Sequence, residues 1–83
     1  MFINKTKDGK NNLCGEKIAV LRKSLKYSQR ALADKLQLVG LDVDKNAIQR
    51  IESGKRFVTD IEIVAISKVL NVTIEDLLSQ QAE

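Results

Sequence analysis

From Leu13 onward the apolar residues recur at intervals of three and four. Ile18, Leu21 and Leu25 stand at i, i+3 and i+7 and define one face of a first helix. Ser28 then has the chemistry of an N-cap, since its hydroxyl can accept from a free amide of the next turn. Tyr27 and Leu32 occupy the flanking places of a hydrophobic staple. Leu32, Ala33 and Leu36 continue a second helix, which Gly40 stops. A third helix carries Ile48 and Ile51 and ends at Gly54. Its start is either Asp44 as cap or a capping box of Asn46 with Gln49, two residues apart. Thr59 with Glu62 forms a capping box that opens a fourth helix through Ile63, Ile66 and Leu70. Thr73 with Asp76 repeats the signal before a last short helix holding Leu77 and Leu78. Strand-like alternation is confined to Val39, Leu41 and Val43, too few positions for a sheet. The pattern predicts an all-α fold of five short helices.

Ahead of these blocks, Met1–Asn12 is polar and without helical period. Its Asn4, Asn11, Asn12 and Gly9, with Lys5, Lys7 and Lys10, suggest a flexible basic arm over residues 1–12, followed by one domain over 13–83. The 83 residues leave no room for a second core. Composition narrows the chemistry further. Histidine is absent and Cys14 is the sole cysteine, which removes a histidine-based triad, a Cys/His zinc site and an intramolecular disulfide. No nucleophile–base pair or glycine-rich phosphate loop is present, so no catalytic residue, metal or cofactor is expected. No apolar run reaches the ~20 residues that span a bilayer, and the expected location is the cytoplasm.

Charge changes the picture more. The net charge of +3 conceals +7 over residues 1–58 and −4 over residues 59–83. A basic first part suggests a face for a polyanion, with an ordinary solvated surface as the bland alternative. The second and third helices are short and joined by a compact link containing a glycine. That is the layout of a helix-turn-helix, whose first helix braces across phosphates while the second lies in the major groove.

The residues themselves add to this. Ile18-x-x-Leu21-Arg22, Ser28-Gln29-x-x-Leu32-Ala33, Ala47-Ile48-Gln49-Arg50-Ile51-Glu52-x-Gly54-Lys55-Arg56, Leu70-x-Val72 and Leu77-Leu78 closely resemble the Cro/C1-type helix-turn-helix family. This is the phage-repressor group, also called the xenobiotic-response-element family, and the resemblance covers about residues 15–78. It implies a λ-repressor-like five-helix domain that binds double-stranded DNA. One departure is an insertion of about five residues between Leu36 and Ile48. Either the second helix is longer by a turn or the link is a loop. Gly40 favours the longer helix, with Leu38, Val39, Leu41 and Val43 covering the core.

The resemblance also assigns roles. Lys45, Asn46, Gln49 and Arg50 fall where the family reads bases, and their chemistry suits guanine and adenine edges. Gln29, Arg30, Lys55 and Arg56 match positions that grip the phosphate backbone. Arg22 and Glu52 match a structural ion pair between the first and third helices. Ala33 lets two helices approach closely, and Cys14 acts as a small hydrophobe. The implied activity is transcriptional regulation of bacterial or phage type, as a repressor. It would work as a homodimer at least on DNA, joined through side chains such as Val72, Ile74, Leu77 or Leu78. With no sensor domain, control falls to concentration, proteolysis or a regulatory protein partner. The alternative is a protein-interaction module, an antitoxin or anti-repressor whose acidic C-terminal part binds a partner.

Overall fold

The computed structural model describes residues 5–79, and within them the chain is all-helical. Five helices follow in order: α1 (Gly15–Ser24), α2 (Gln29–Leu38), α3 (Lys45–Glu52), α4 (Asp60–Leu70) and α5 (Ile74–Leu78). Four of the five starts are capped by the expected side chains. Ser28 accepts from Ala31 N, and Asp44, not Asn46, opens α3 by accepting from Ala47 N. Thr59 with Glu62 and Thr73 with Asp76 form complete capping boxes. α1 has no side-chain cap at Cys14, which is wholly buried and unpaired; burial pushes its thiol pKa up and keeps it protonated.

Helices α1 to α4 all stop in one way. A left-handed residue follows the last turn, at Lys26, Gly40, Gly54 and Asn71. The amide after each reaches back to a carbonyl of that turn: Tyr27 to Arg22, Leu41 to Leu36, Lys55 to Arg50, and Val72 to Ser67. This is the Schellman closure, and it satisfies carbonyls the helix leaves open.

The caps aim the helices so that their apolar stripes meet. α2 packs on α3 and α4, α1 on α3, and α5 on α4. Ile18, Leu32, Ala33, Leu36, Ile48, Ile51, Ile66, Leu70 and Leu77 form one buried core with Cys14 and Val43. Leu77 is therefore committed inside the protomer and is not available to a dimer contact. Ile74 and Leu78 remain partly exposed, as does Ile61 on α4 at 72%.

The connection between α2 and α3 differs from expectation. α2 does run on to Leu38 and close at Gly40, and Val43 enters the core at 4% exposure. Leu38, however, is 86% exposed and Val39 53%, so neither covers the core. At about 100° per residue, Leu38 sits on the side of α2 opposite Leu36. Gln37 Nε2 donates to Val43 O at 2.8 Å and ties the connection to the end of α2.

The segment expected to be a flexible arm makes hydrogen bonds where it is described. Thr6–Lys10 closes into a turn, with Thr6 N donating to Lys10 O and Gly9 N to Thr6 O. Asn11 and Asn12 then bond to the end of α3 and the turn after it. Residues 1–4 lie outside the described part.

Candidate nucleic-acid interface

The third helix is two-sided. Ile48 and Ile51 face inward at 1% exposure each. Lys45, Asn46, Gln49 and Arg50 stand on the other side, at i, i+1, i+4 and i+5, and all four are exposed. Asp44 fixes where the helix starts, its Oδ1 accepting from Ala47 N at 2.8 Å. Within the described residues none of these four side chains hydrogen-bonds to the protein. They present four polar groups, two of them cationic, on a helix held rigidly from behind.

That rigidity has a chemical anchor at the other end. Arg22 of α1 meets Glu52, the last residue of α3, through Nε to Oε2 at 2.6 Å and Nη2 to Oε1 at 3.1 Å. Its Nη1 also donates to Tyr27 O at 2.8 Å. Gln29, at the start of α2, donates its Nε2 to Glu52 Oε1 at 3.0 Å. One carboxylate thus joins α1, α2 and α3. A paired, fully hydrogen-bonded charge is the form in which such a group tolerates burial.

The residues matched to phosphate contacts divide into two kinds. Arg30 and Lys55 are exposed, with side chains unengaged among the described residues. Gln29 is turned to Glu52. Arg56, also expected at the phosphate backbone, forms a two-pronged pair with Glu62, Nη1 to Oε1 at 3.0 Å and Nη2 to Oε2 at 2.9 Å. Glu62 is the capping-box residue of α4, so Arg56 fastens the turn after α3 onto the next helix. The guanidinium holds the Glu62 carboxyl below its ordinary pKa, and the carboxylate raises that of Arg56.

Two positions of structural weight escaped the sequence reading. Gly15 lets α1 meet α3, because a Cβ there would lie 2.2 Å from Ile51 O. Asn12 spans the same junction. Neither belongs to an apolar period, and neither helix end alone indicates its distant partner.

The model for the family described as helix-turn-helix matches residues 18–77. The chain belongs to the helix-turn-helix family, in its Cro/C1 branch. The solved P22 c2 repressor, in complex with a synthetic operator, is 30% identical. It superposes with a TM-score of 0.71 over 84% of this chain and 98% of the repressor. The restriction-modification controller protein C.AhdI from Aeromonas hydrophila is 24% identical, with a TM-score of 0.67 over 76% of this chain and 88% of its own, and shares the fold. No curated protein matches the chain in sequence. In a helix-turn-helix the second helix of the motif lies in the major groove, and α2 and α3 stand in the places of the motif's two helices.

Proposed function

We propose that the chain binds double-stranded DNA at specific sequences and regulates transcription, acting as a repressor in the cytoplasm of a bacterium or on behalf of a phage. The observation that carries this is the exposed face of α3, whose four polar side chains have no hydrogen-bond partner among the described residues, on the second helix of a helix-turn-helix. Arg50 and Lys45 suit the O6 and N7 acceptors of guanine, and Gln49 and Asn46 suit adenine; each good bidentate contact discriminates by about 1–3 kcal/mol. Arg30 and Lys55 supply backbone contacts. Gln29 and Arg56 serve first to hold α2 and the turn after α3. Two copies on an inverted repeat, with the exposed Ile74 and Leu78 of α5 between them, would set two α3 helices one turn of DNA apart.

Selection from a random duplex library by the purified protein at near-physiological salt tests this reading. The expected product is an inverted repeat with half-sites one helical turn apart. Arg50→Ala should relax preference at one position of each half-site while affinity for unrelated duplex changes little. Folded protein that enriches nothing would overturn the proposal. The alternative, an acidic surface for a partner protein, loses Glu62, which is buried against Arg56, and keeps Asp60, Glu75 and the cap residue Asp76 exposed.

A further inference from the structure

The turn after α3 carries Lys55 and contains no helix or strand, yet three successive carbonyls in it, those of Gly54, Lys55 and Arg56, are engaged from one place. Gly54 O accepts from Asn11 N at 2.8 Å. Lys55 O accepts from Asn11 Nδ2 at 3.0 Å. Arg56 O accepts from Asn12 Nδ2 at 2.8 Å, and the same amide reaches Ile51 O, in the last turn of α3, at 3.1 Å. Asn12 Oδ1 meanwhile accepts from Gly15 N at 2.8 Å and so fixes the start of α1. The aliphatic stem of Lys10 lies over Gly54, where a Cβ would come within 2.7 Å of it.

We infer that Asn11 and Asn12 are positioning residues for DNA binding, a clamp that fixes Lys55 relative to the base-reading face of α3. The inference rests on the reading of α3 given above. Unclamped, the link between α3 and α4 would sample many orientations, and ordering it on the duplex would cost conformational entropy at the moment of binding. Held from behind by two neutral amides, it presents the ammonium of Lys55 already aligned with α3. The amides satisfy the carbonyls without bringing a charge of their own next to that cation. Of the cations in the clamp segment, Lys10 is paired with Glu16 and Asp8, and Lys5 Nζ donates to Asn11 Oδ1 at 2.7 Å, which orients the amide that holds Lys55 O.

The test is a binding cycle on the intact chain with Asn11→Ala, Lys55→Ala and the double variant, each titrated with a selected duplex and an unrelated duplex over a range of salt. Asn11→Ala keeps the backbone bond to Gly54 and removes only exposed side-chain hydrogen bonds, so it should fold. Asn12→Asp is the second probe, because it keeps the acceptor for Gly15 N and removes both donors. Lys55→Ala should weaken binding to both duplexes about five- to ten-fold and flatten the salt dependence by about 0.9 in slope, whereas Asn11→Ala should weaken binding by up to that factor with the slope kept, since the lysine still reaches its phosphate after ordering. The double variant should bind no worse than Lys55→Ala, since Asn11 acts through that lysine. Independent, multiplying effects, or an Asn11→Ala protein with wild-type affinity, would overturn the clamp while leaving the DNA reading intact. Wild-type protein that binds neither duplex would overturn both.

Discussion

The Arg22–Glu52 pair offers the sharpest test of what holds α3 in place. Both side chains are only 9% exposed, and three of the guanidinium's donors are engaged. Replacing one partner leaves the other as a buried charge, which costs about 3–5 kcal/mol. At about 0.05–0.15 kcal/mol per residue, a chain of this size has roughly 4–12 kcal/mol of stability in total. Arg22→Met or Glu52→Met alone should therefore remove a quarter or more of it. Replacing both by methionine removes both burial penalties and keeps an apolar stem on each side. Only Tyr27 O and the Gln29 amide then lose partners, and Gln29 is half-buried and can turn to water. The double variant should lie within about 1–2 kcal/mol of the parent. Urea unfolding at pH 7, followed by helical circular dichroism, measures all three. A double variant as unstable as the two single losses added together would refute the coupling. Single losses below about 1 kcal/mol would show that water screens the pair.

Three further outcomes follow from particular contacts. The Glu62 carboxyl has its pKa lowered chiefly by Arg56, so its contribution is present above the unfolded glutamate value of about 4.3 and fades as pH falls through the folded value. Glu62→Gln should cost about 1–2 kcal/mol at neutral pH and progressively less as the pH falls below the unfolded glutamate value; an equal cost throughout, in urea unfolding across pH, would show that the charge is not what matters. Gly15→Ala should lower the melting temperature by at least about 4 °C despite alanine's better helix propensity, because its Cβ would meet the backbone of Ile51; an unchanged or raised midpoint in a thermal scan would contradict the close approach. Leu38→Asp should change stability by less than about 0.5 kcal/mol in urea unfolding, since the side chain is 86% exposed, whereas a loss above 2 kcal/mol would mean it packs on the core after all.

How far the fold could be read from the chain depends on the range of the chemistry involved. The helix starts are local: Ser28, Asp44, Thr59 and Thr73 each act on an amide three residues away, so four residues suffice to recognise them. The helix ends were half legible, although all four closures are alike. Gly40 and Gly54 signal a left-handed residue because glycine adopts it freely, whereas Lys26 and Asn71 occupy the same geometry with side chains that announce it weakly or not at all. Leu38 was misread because apolar identity outweighed its angular position relative to Leu36.

The interface divides along the same line. The outward set on α3 follows from its own period, since Ile48 and Ile51 dictate which side faces away. The roles of Arg56, Asn11 and Asn12 depend on partners brought together by the fold. Arg56 and Glu62 lie six residues apart across a helix start, close enough for the capping box to have hinted at the pair. Asn12 and Arg56 are 44 residues apart, and nothing in a polar, lysine-bearing segment marks it as bonded rather than free. The same composition that made residues 1–12 resemble a loose arm supplies the amide donors that satisfy the turn after α3. A polar segment is free only when its hydrogen-bonding groups have nothing better than water to meet, and the open carbonyls at the end of α3 are such a partner.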